Sequence, residues 1–542
     1  MSGLPTSIDD TYGRRRFIKQ VAGLCGMPAL SALHTSCGNH KHRISGSIIG
    51  ANATTGHMLR SGNFPAATAR WQTDVLIIGG GITGLSAKRW LNKNGSPGVM
   101  MLEMDNRVGG NSVSDVNAVS AYPWGAHYLP IPDVADTDLI AFLQEAGVIQ
   151  SFDHDGLPFY NDYYLCHDPE ERLYINGYWQ EGLVPHVGIT SEDRKQIADF
   201  FKEVEALKTA KGNDGKPCFS IPLDTSSTDE QYRSLDGIPF AQYLEGKGYS
   251  SPYLLWYLEY CCKDDYGATL AQTSAWAGLH YFASRRGKAA NAASSAVLTW
   301  PEGNAFLAKA LTAGNEENIK TGILAYKLIP TNTGVDVLCY DTHSKTSILI
   351  SAKRALVATP QFITSRLSDR PGGNPAPSYS PWVVANVTFK NLPHTKGFPL
   401  CWDNVIYGQE SVGYVYANHQ ELRKKTEGVI TCYRPITTPD TATARAILHR
   451  SSYKELQERV ISDLSFAHPG IAQFITNIDI WVWGHGMILP APGYIWGPER
   501  QKAMQPIDDK IFFAHSDLSG ISIFEEAFYQ GITAARKISA TL

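Results

Sequence analysis

The sequence predicts an α/β fold in two structural parts, and three observations carry that prediction. The first is a buried-strand signal, Asp74-Val75-Leu76-Ile77-Ile78, running into a glycine turn, then a helical stretch, then a second strand, Val99-Met100-Met101-Leu102. The second is a later change of texture. Residues 130 to 290 read as mostly helical, whereas Ile323 to Thr359 and Pro381 to Tyr433 read as strands. The third is length: 542 residues, at about 150 per domain, make two or three domains.

Composition narrows the class. Hydrophobic residues make up 43%, enough for a large core, and charged residues only 18%, too few for a coiled coil or a disordered chain. A net charge of −4 leaves no basic footprint for nucleic acid. No stretch has the roughly 18 uninterrupted apolar residues of a membrane span.

The N-terminus reads as a targeting segment. Arg14-Arg15-Arg16-Phe17-Ile18-Lys19 precedes a charge-free run rich in Ala, Leu and Gly, from Val21 to Leu33. This order resembles a twin-arginine export signal. Residues 1–37 are therefore assigned to a signal peptide, with the twin-arginine machinery as partner and the periplasm or outer face of the cytoplasmic membrane as destination. Cys37, after Thr35-Ser36, is a candidate lipid anchor. Residues 38–72, rich in Gly, Ser, Asn, Thr and Ala, read as a linker. Seven of the nine cysteines lie beyond Cys37, without metal spacing. They read as buried thiols, and no metal is expected.

The glycine turn Gly79-Gly80-Gly81-Ile82-Thr83-Gly84 has the full context of a dinucleotide site. Gly79 permits the tight turn, Gly81 lets backbone approach a pyrophosphate, and Gly84 lets helix pack on strand. The helix N-terminus offers free N–H groups to phosphate. Glu103 ends the next strand and suits the ribose hydroxyls.

After Glu103 come Arg107-Val108-Gly109-Gly110-Asn111. This turn resembles the second fingerprint of the FAD-dependent amine oxidase, phytoene desaturase and protoporphyrinogen oxidase superfamily. Further segments are similar to the family's in order. Gly125-Ala126-His127 resembles the stretch beside the flavin ring, and Trp300 to Leu307 the turn that opens a helix near the cofactor. Ala325-Tyr326 stands at the adenine strand, and Leu356 to Pro360 resembles the strand-ending Ala-Thr-Pro. Ile511 to Asp517, with Gly520, resembles the closing FAD motif. The resemblance implies FAD, held noncovalently because the closing motif has no cysteine. It implies a FAD-binding Rossmann-like domain of glutathione-reductase type over 73–129, 295–365 and 485–542. A mixed α+β substrate domain would take 130–290 and 370–484. Gly79, Gly81, Gly84, Glu103, Arg107, Gly109, Gly110, Gly125, Ala325, Asp517 and Gly520 would hold the cofactor.

Amine oxidases of this family typically place a lysine near the flavin. The strand Val383 to Phe389 has none, and Lys390 stands only at its end. Trp481 and Trp483, spaced by valine before Gly484-His485-Gly486, could cage a flat or cationic group or simply fill a core. His127 and His485 are candidate proton acceptors, and Tyr494 completes the catalytic set with Trp483. Asp264-Asp265 could attract a cation or merely end a helix. Three functions follow for a small-molecule substrate: oxidation of a C–N bond in an amine or polyamine, desaturation or isomerisation of an apolar substrate, or flavin binding without turnover.

Overall fold

The computed structural model describes residues 43–96, 98–367, 377–392, 396–423, 425–438 and 440–542. The export-signal assignment, with Arg14, Arg15 and Cys37, lies outside them.

The dinucleotide sheet has the strand order 319–320, Val99–Leu102, Ala67–Ile78, Thr346–Val357, Val335–Asp341 and Ile323–Pro330. The strand Ile511–Phe513 adds parallel to the second half of Thr346–Val357. Val75, Leu76 and Ile77 are completely buried, as expected of a parallel strand covered on both faces. One face packs on the helices Ile82–Lys93 and Phe524–Ser539 in a core that includes Leu85, Leu91, Phe528 and Ile532. The other is closed by Val337, Ile350, Leu367 and Leu518.

The second sheet has eight strands, ordered Ile48–Gly50, Ile475–Ile488, Tyr379–Phe389, Gly428–Pro435, Tyr414–Tyr416, Asp403–Ile406, Glu171–Ile175 and Tyr178–Glu181. It is antiparallel except at two pairings. One face joins the helices Ser191–Thr209, Pro252–Tyr266 and Ala275–Ala283 in a large aromatic core. The other is covered by the helices Thr441–Arg450 and Tyr453–Ala467. All seven cysteines among the described residues are buried and unpaired.

Two expected boundaries move. The segment assigned as linker is structured from residue 48 onward. It holds the strand Ile48–Gly50, the helix Ala53–Ser61 and the start, at Ala67, of the strand expected at 73. Polar composition hid it, because this strap lies on the surface and takes its order from neighbours rather than from an apolar stripe. Residues 130 to 165 also fall on the dinucleotide side. Leu139, Phe142, Leu143, Ile149 and Tyr160 share the core of the helix Phe524–Ser539.

Candidate active site

The glycine turn is built as the spacing requires. Gly79 has φ +112, and a Cβ there would lie 2.4 Å from the Ala358 carbonyl oxygen. A Cβ at Gly84 would lie 2.0 Å from the Gly79 oxygen. Gly81 N-caps the helix Ile82–Lys93 without any side-chain cap, so the first-turn N–H groups are left for a ligand. Gly109 donates its N–H to the Gly80 oxygen at 2.8 Å, which brings the two fingerprints together. Glu103 is half-buried and accepts N–H bonds from Gly80 and Asp105, each at 2.8 Å. Each carboxylate oxygen keeps a second lone pair. Burial pushes this carboxyl up from its ordinary value. These features fit the diphosphate and ribose of a dinucleotide.

Other expected cofactor residues are occupied within the protein. The Arg107 guanidinium bonds Asp115 at 2.7 Å and the Ser114 oxygen at 2.8 Å, and sits over Trp481. Asp517 is fully buried; it accepts from the Gln361 N–H and the Tyr379 hydroxyl, and His515 stands at 3.1 Å. Ala325 lies buried on the sheet beside Tyr326, on which Phe64 stacks at 4.0 Å. Gly520 packs under Tyr494 at φ +83.

Against the second sheet, under the helices Pro252–Tyr266 and Ala275–Ala283 and the start of Phe524–Ser539, lies a cavity of about 150 Å³. Its wall includes Asn111, Gly125, His127, Trp382, Tyr433 and Trp483, so it opens onto the second fingerprint and the Gly-Ala-His segment. A Cβ at Gly125 would lie 2.3 Å from the Asn111 oxygen, and the Asn111 amide donates to the Gly486 oxygen at 2.8 Å. His127 stacks on Tyr433 at 4.6 Å. Burial lowers its pKa to about 4, so it is neutral at neutral pH. Trp483 donates to the Trp124 oxygen at 2.6 Å.

The structure brings together His127, Trp483 and Gly125 but not His485 or Tyr494. His485 stacks instead on Phe362 at 4.0 Å, among cations that with burial hold its pKa near about 3. It is a poor proton acceptor. Tyr494 donates to the backbone oxygen of Asp517. Both belong to the return of the chain toward the closing motif, where residue order alone gives no side-chain direction.

Sequence reasoning undervalued the charge in this cavity. Asp264, Asp265 and Glu525 line it, against the single guanidinium of Arg285. Arg285 pairs with Asp265 at 2.9 Å and with the Tyr128 hydroxyl at 3.1 Å, and lies over Tyr281 at 4.1 Å. Asp264 and Glu525 are thus left as an acidic excess. Burial, then Asp265, pushes the Asp264 carboxyl up. Burial raises that of Glu525 to about 7. Asp264 and Asp265 do end a helix, Pro252–Tyr266, closed by Gly267 at φ +62. Its last turn points into the cavity. Glu525, missed entirely, sits in the first turn of the helix Phe524–Ser539. Its only sequence signal was an acid following Phe524 at a helix start. Among the described residues no lysine lines this cavity.

Comparison with known proteins agrees with this architecture. The NAD(P)-binding Rossmann-like domain family matches residues 77–146. A solved putrescine oxidase with putrescine bound superposes with a TM-score of 0.62 at 15% identity, over 87% of this chain and 100% of that one. Cyclohexylamine oxidase from Brevibacterium oxydans IH-35A gives 0.60 at 14%, over 86% and 99%. A CLA-producing fatty acid isomerase from P. acnes gives 0.58 at 16%, over 86% and 98%. No curated protein matches the chain by sequence. The likeness is one of fold: a Rossmann domain of glutathione-reductase type carrying a mixed α+β substrate domain.

Proposed function

We propose that this chain is an exported, FAD-dependent oxidoreductase that oxidises a C–N bond of a cationic amine. The observation that carries the reading is the carboxyl excess of Asp264 and Glu525 in an aromatic cavity beside the dinucleotide site. Facing an apolar polyene these carboxyl groups would escape their desolvation cost only by taking up protons and losing their charge. An ammonium group pairs them and stacks against the rings of Tyr433 and Trp483. The neighbours that bind or oxidise amines in name support the same reading.

FAD, when bound, supplies the acceptor for the hydride. The residues do the rest. The turn Gly79 to Gly84 seats the diphosphate, and Glu103 accepts from the ribose. Asn111, Gly125 and His127 border the ring, with His127 neutral. Asp264 holds the substrate ammonium. A Glu525 carboxylate oxygen takes one proton from the amine nitrogen, a task matched by a pKa near 7. With that lone pair freed, hydride would pass from the α carbon to the bound FAD, and water would hydrolyse the resulting iminium. The aromatic wall excludes other water from the reacting carbon.

The test is anaerobic mixing of the mature flavoprotein with polyamines, monoamines, amino acids and polyenes. Bleaching of the visible flavin band by amines is expected. Bleaching by polyenes alone, or by nothing, would refute the reading.

A further inference from the structure

The strap that precedes the glycine turn runs the length of the proposed cofactor site. At its start Gly50 lies under Trp481, the ring over which Arg107 sits. Midway, Gly56 faces Met104, the residue after Glu103. At its end Phe64 stacks on Tyr326, next to Ala325. Leu59 anchors it to the core that holds Leu76 and Ile78.

The helix of this strap, Ala53–Ser61, contributes Arg60 and the neutral imidazole of His57 to a cluster of basic side chains in which the arginines carry the charge. Facing them are Arg445 and His449 from the helix Thr441–Arg450, Arg366 from Gln361–Leu367, and His485. The His57 and His449 rings meet edge to face at 5.7 Å. The cluster adjoins the glycine turn through the chain itself. Ala358, whose oxygen would block a Cβ at Gly79, leads within four residues to Phe362, on which His485 stacks. The positive charge is poorly balanced. Among the described residues none of Arg60, Arg366 and Arg445 is in an ion pair, and Nη1 of Arg445 is buried without a hydrogen-bond partner. Two carboxylates offset part of this charge: Asp440, which caps its helix through the N–H groups of Ala442 and Thr443, acts on Arg445, and Asp517, which holds Gln361 and Tyr379, acts on His485. Mutual repulsion shows in His57, lowered by burial and then by Arg60, His449 and Arg366, and in Arg445, lowered by burial and then by Arg60.

We propose that the strap residues 48–64 close over the dinucleotide, and that Arg60 and Arg445, with Arg366 and His485 beside them, hold its diphosphate. This rests on the dinucleotide reading of the site. It adds a clamp drawn from outside the two glycine fingerprints, in place of the guanidinium of Arg107 that Asp115 already occupies. A diphosphate brings two negative charges to a site where cations converge from two sides, and the orphaned Arg445 donor gains an acceptor.

The test compares the wild-type apoprotein with Arg60→Gln/Arg445→Gln. FAD affinity is measured by fluorescence quenching at low and high salt, and thermal midpoints with and without inorganic pyrophosphate. The double variant should bind FAD about 10-fold or more weakly at low salt, with a flatter salt dependence. Its apoprotein midpoint should stay level or rise, because like charges are removed. Pyrophosphate should stabilise the wild type and not the variant. Unchanged FAD affinity and salt dependence would overturn the clamp. A wild type that binds pyrophosphate but no FAD would overturn the cofactor reading and leave an anion site. If the double variant fails to fold, Arg60→Gln alone, at an exposed position, must still weaken FAD at low salt; otherwise the clamp is refuted.

Discussion

At the residue scale two carboxyl groups have different duties. Glu103 spends one lone pair of each oxygen on backbone N–H groups, and the remaining ones are those proposed to accept from a ribose. Glu103→Ala should weaken FAD retention about 10-fold, since a loss near 1.4 kcal/mol is a factor of ten. Equal flavin content in mutant and wild type after gel filtration would remove Glu103 from the site. Asp264 has no such internal duty. Asp264→Asn should raise KM for a cationic amine about 10-fold or more with little change in Tm, because the native carboxylate is costly to bury when empty. A KM equal to wild type would show that the cavity reads something other than charge. Glu103 was legible, since it ends a strand at a fixed distance from a glycine turn. Asp264 and Glu525 were not, because an acid at a helix end is ordinary until a cavity is found in front of it.

Whole elements were legible where burial on both sides leaves an unbroken apolar run. Val75 to Ile78 and Val99 to Leu102 are such strands, and the glycine turn and its helix stand where spacing puts them. The strap helix Ala53–Ser61 was not legible. It buries none of its residues fully, so its sequence carries no stripe. The closing helix Phe524–Ser539 shows what the sequence could place but not explain. Gly531 lets it lie against the turn helix, and a Cβ there would fall 2.2 Å from both the Thr83 oxygen and the Ser86 hydroxyl. Gly531→Ala should therefore cost about 1–3 kcal/mol as the two helices are forced apart. Differential scanning calorimetry should show Tm lower by several degrees; an unchanged Tm would contradict this packing.

At the scale of the whole molecule the two sheets divide the work. One carries the glycine turn proposed to seat a dinucleotide, the other walls a cavity, and the cavity reaches that proposed site at Asn111 and Gly125. The proposed export is consistent with the proposed noncovalent cofactor. A noncovalent cofactor must be loaded where it is made, and a folded-protein route would carry it across intact. Replacing Arg14 and Arg15 by Lys should trap flavin-loaded precursor in the cytoplasm; normal export of that double mutant, followed by cell fractionation, would refute the signal assignment.

Charge recognition is the central claim, and pH exposes it. Glu525 titrates near about 7, and burial raises Asp264 in the same direction. Raised carboxyls are neutral below that pH and charged above it, while an aliphatic amine stays protonated to about 10. The deciding measurement is an anaerobic titration of the flavin band with an aliphatic diamine across neutral pH, beside a diol of equal length. Bleaching by the diamine alone is expected, with apparent affinity falling as pH drops through about 7. Bleaching by the diol, or an affinity for diamine that does not change with pH, would contradict it.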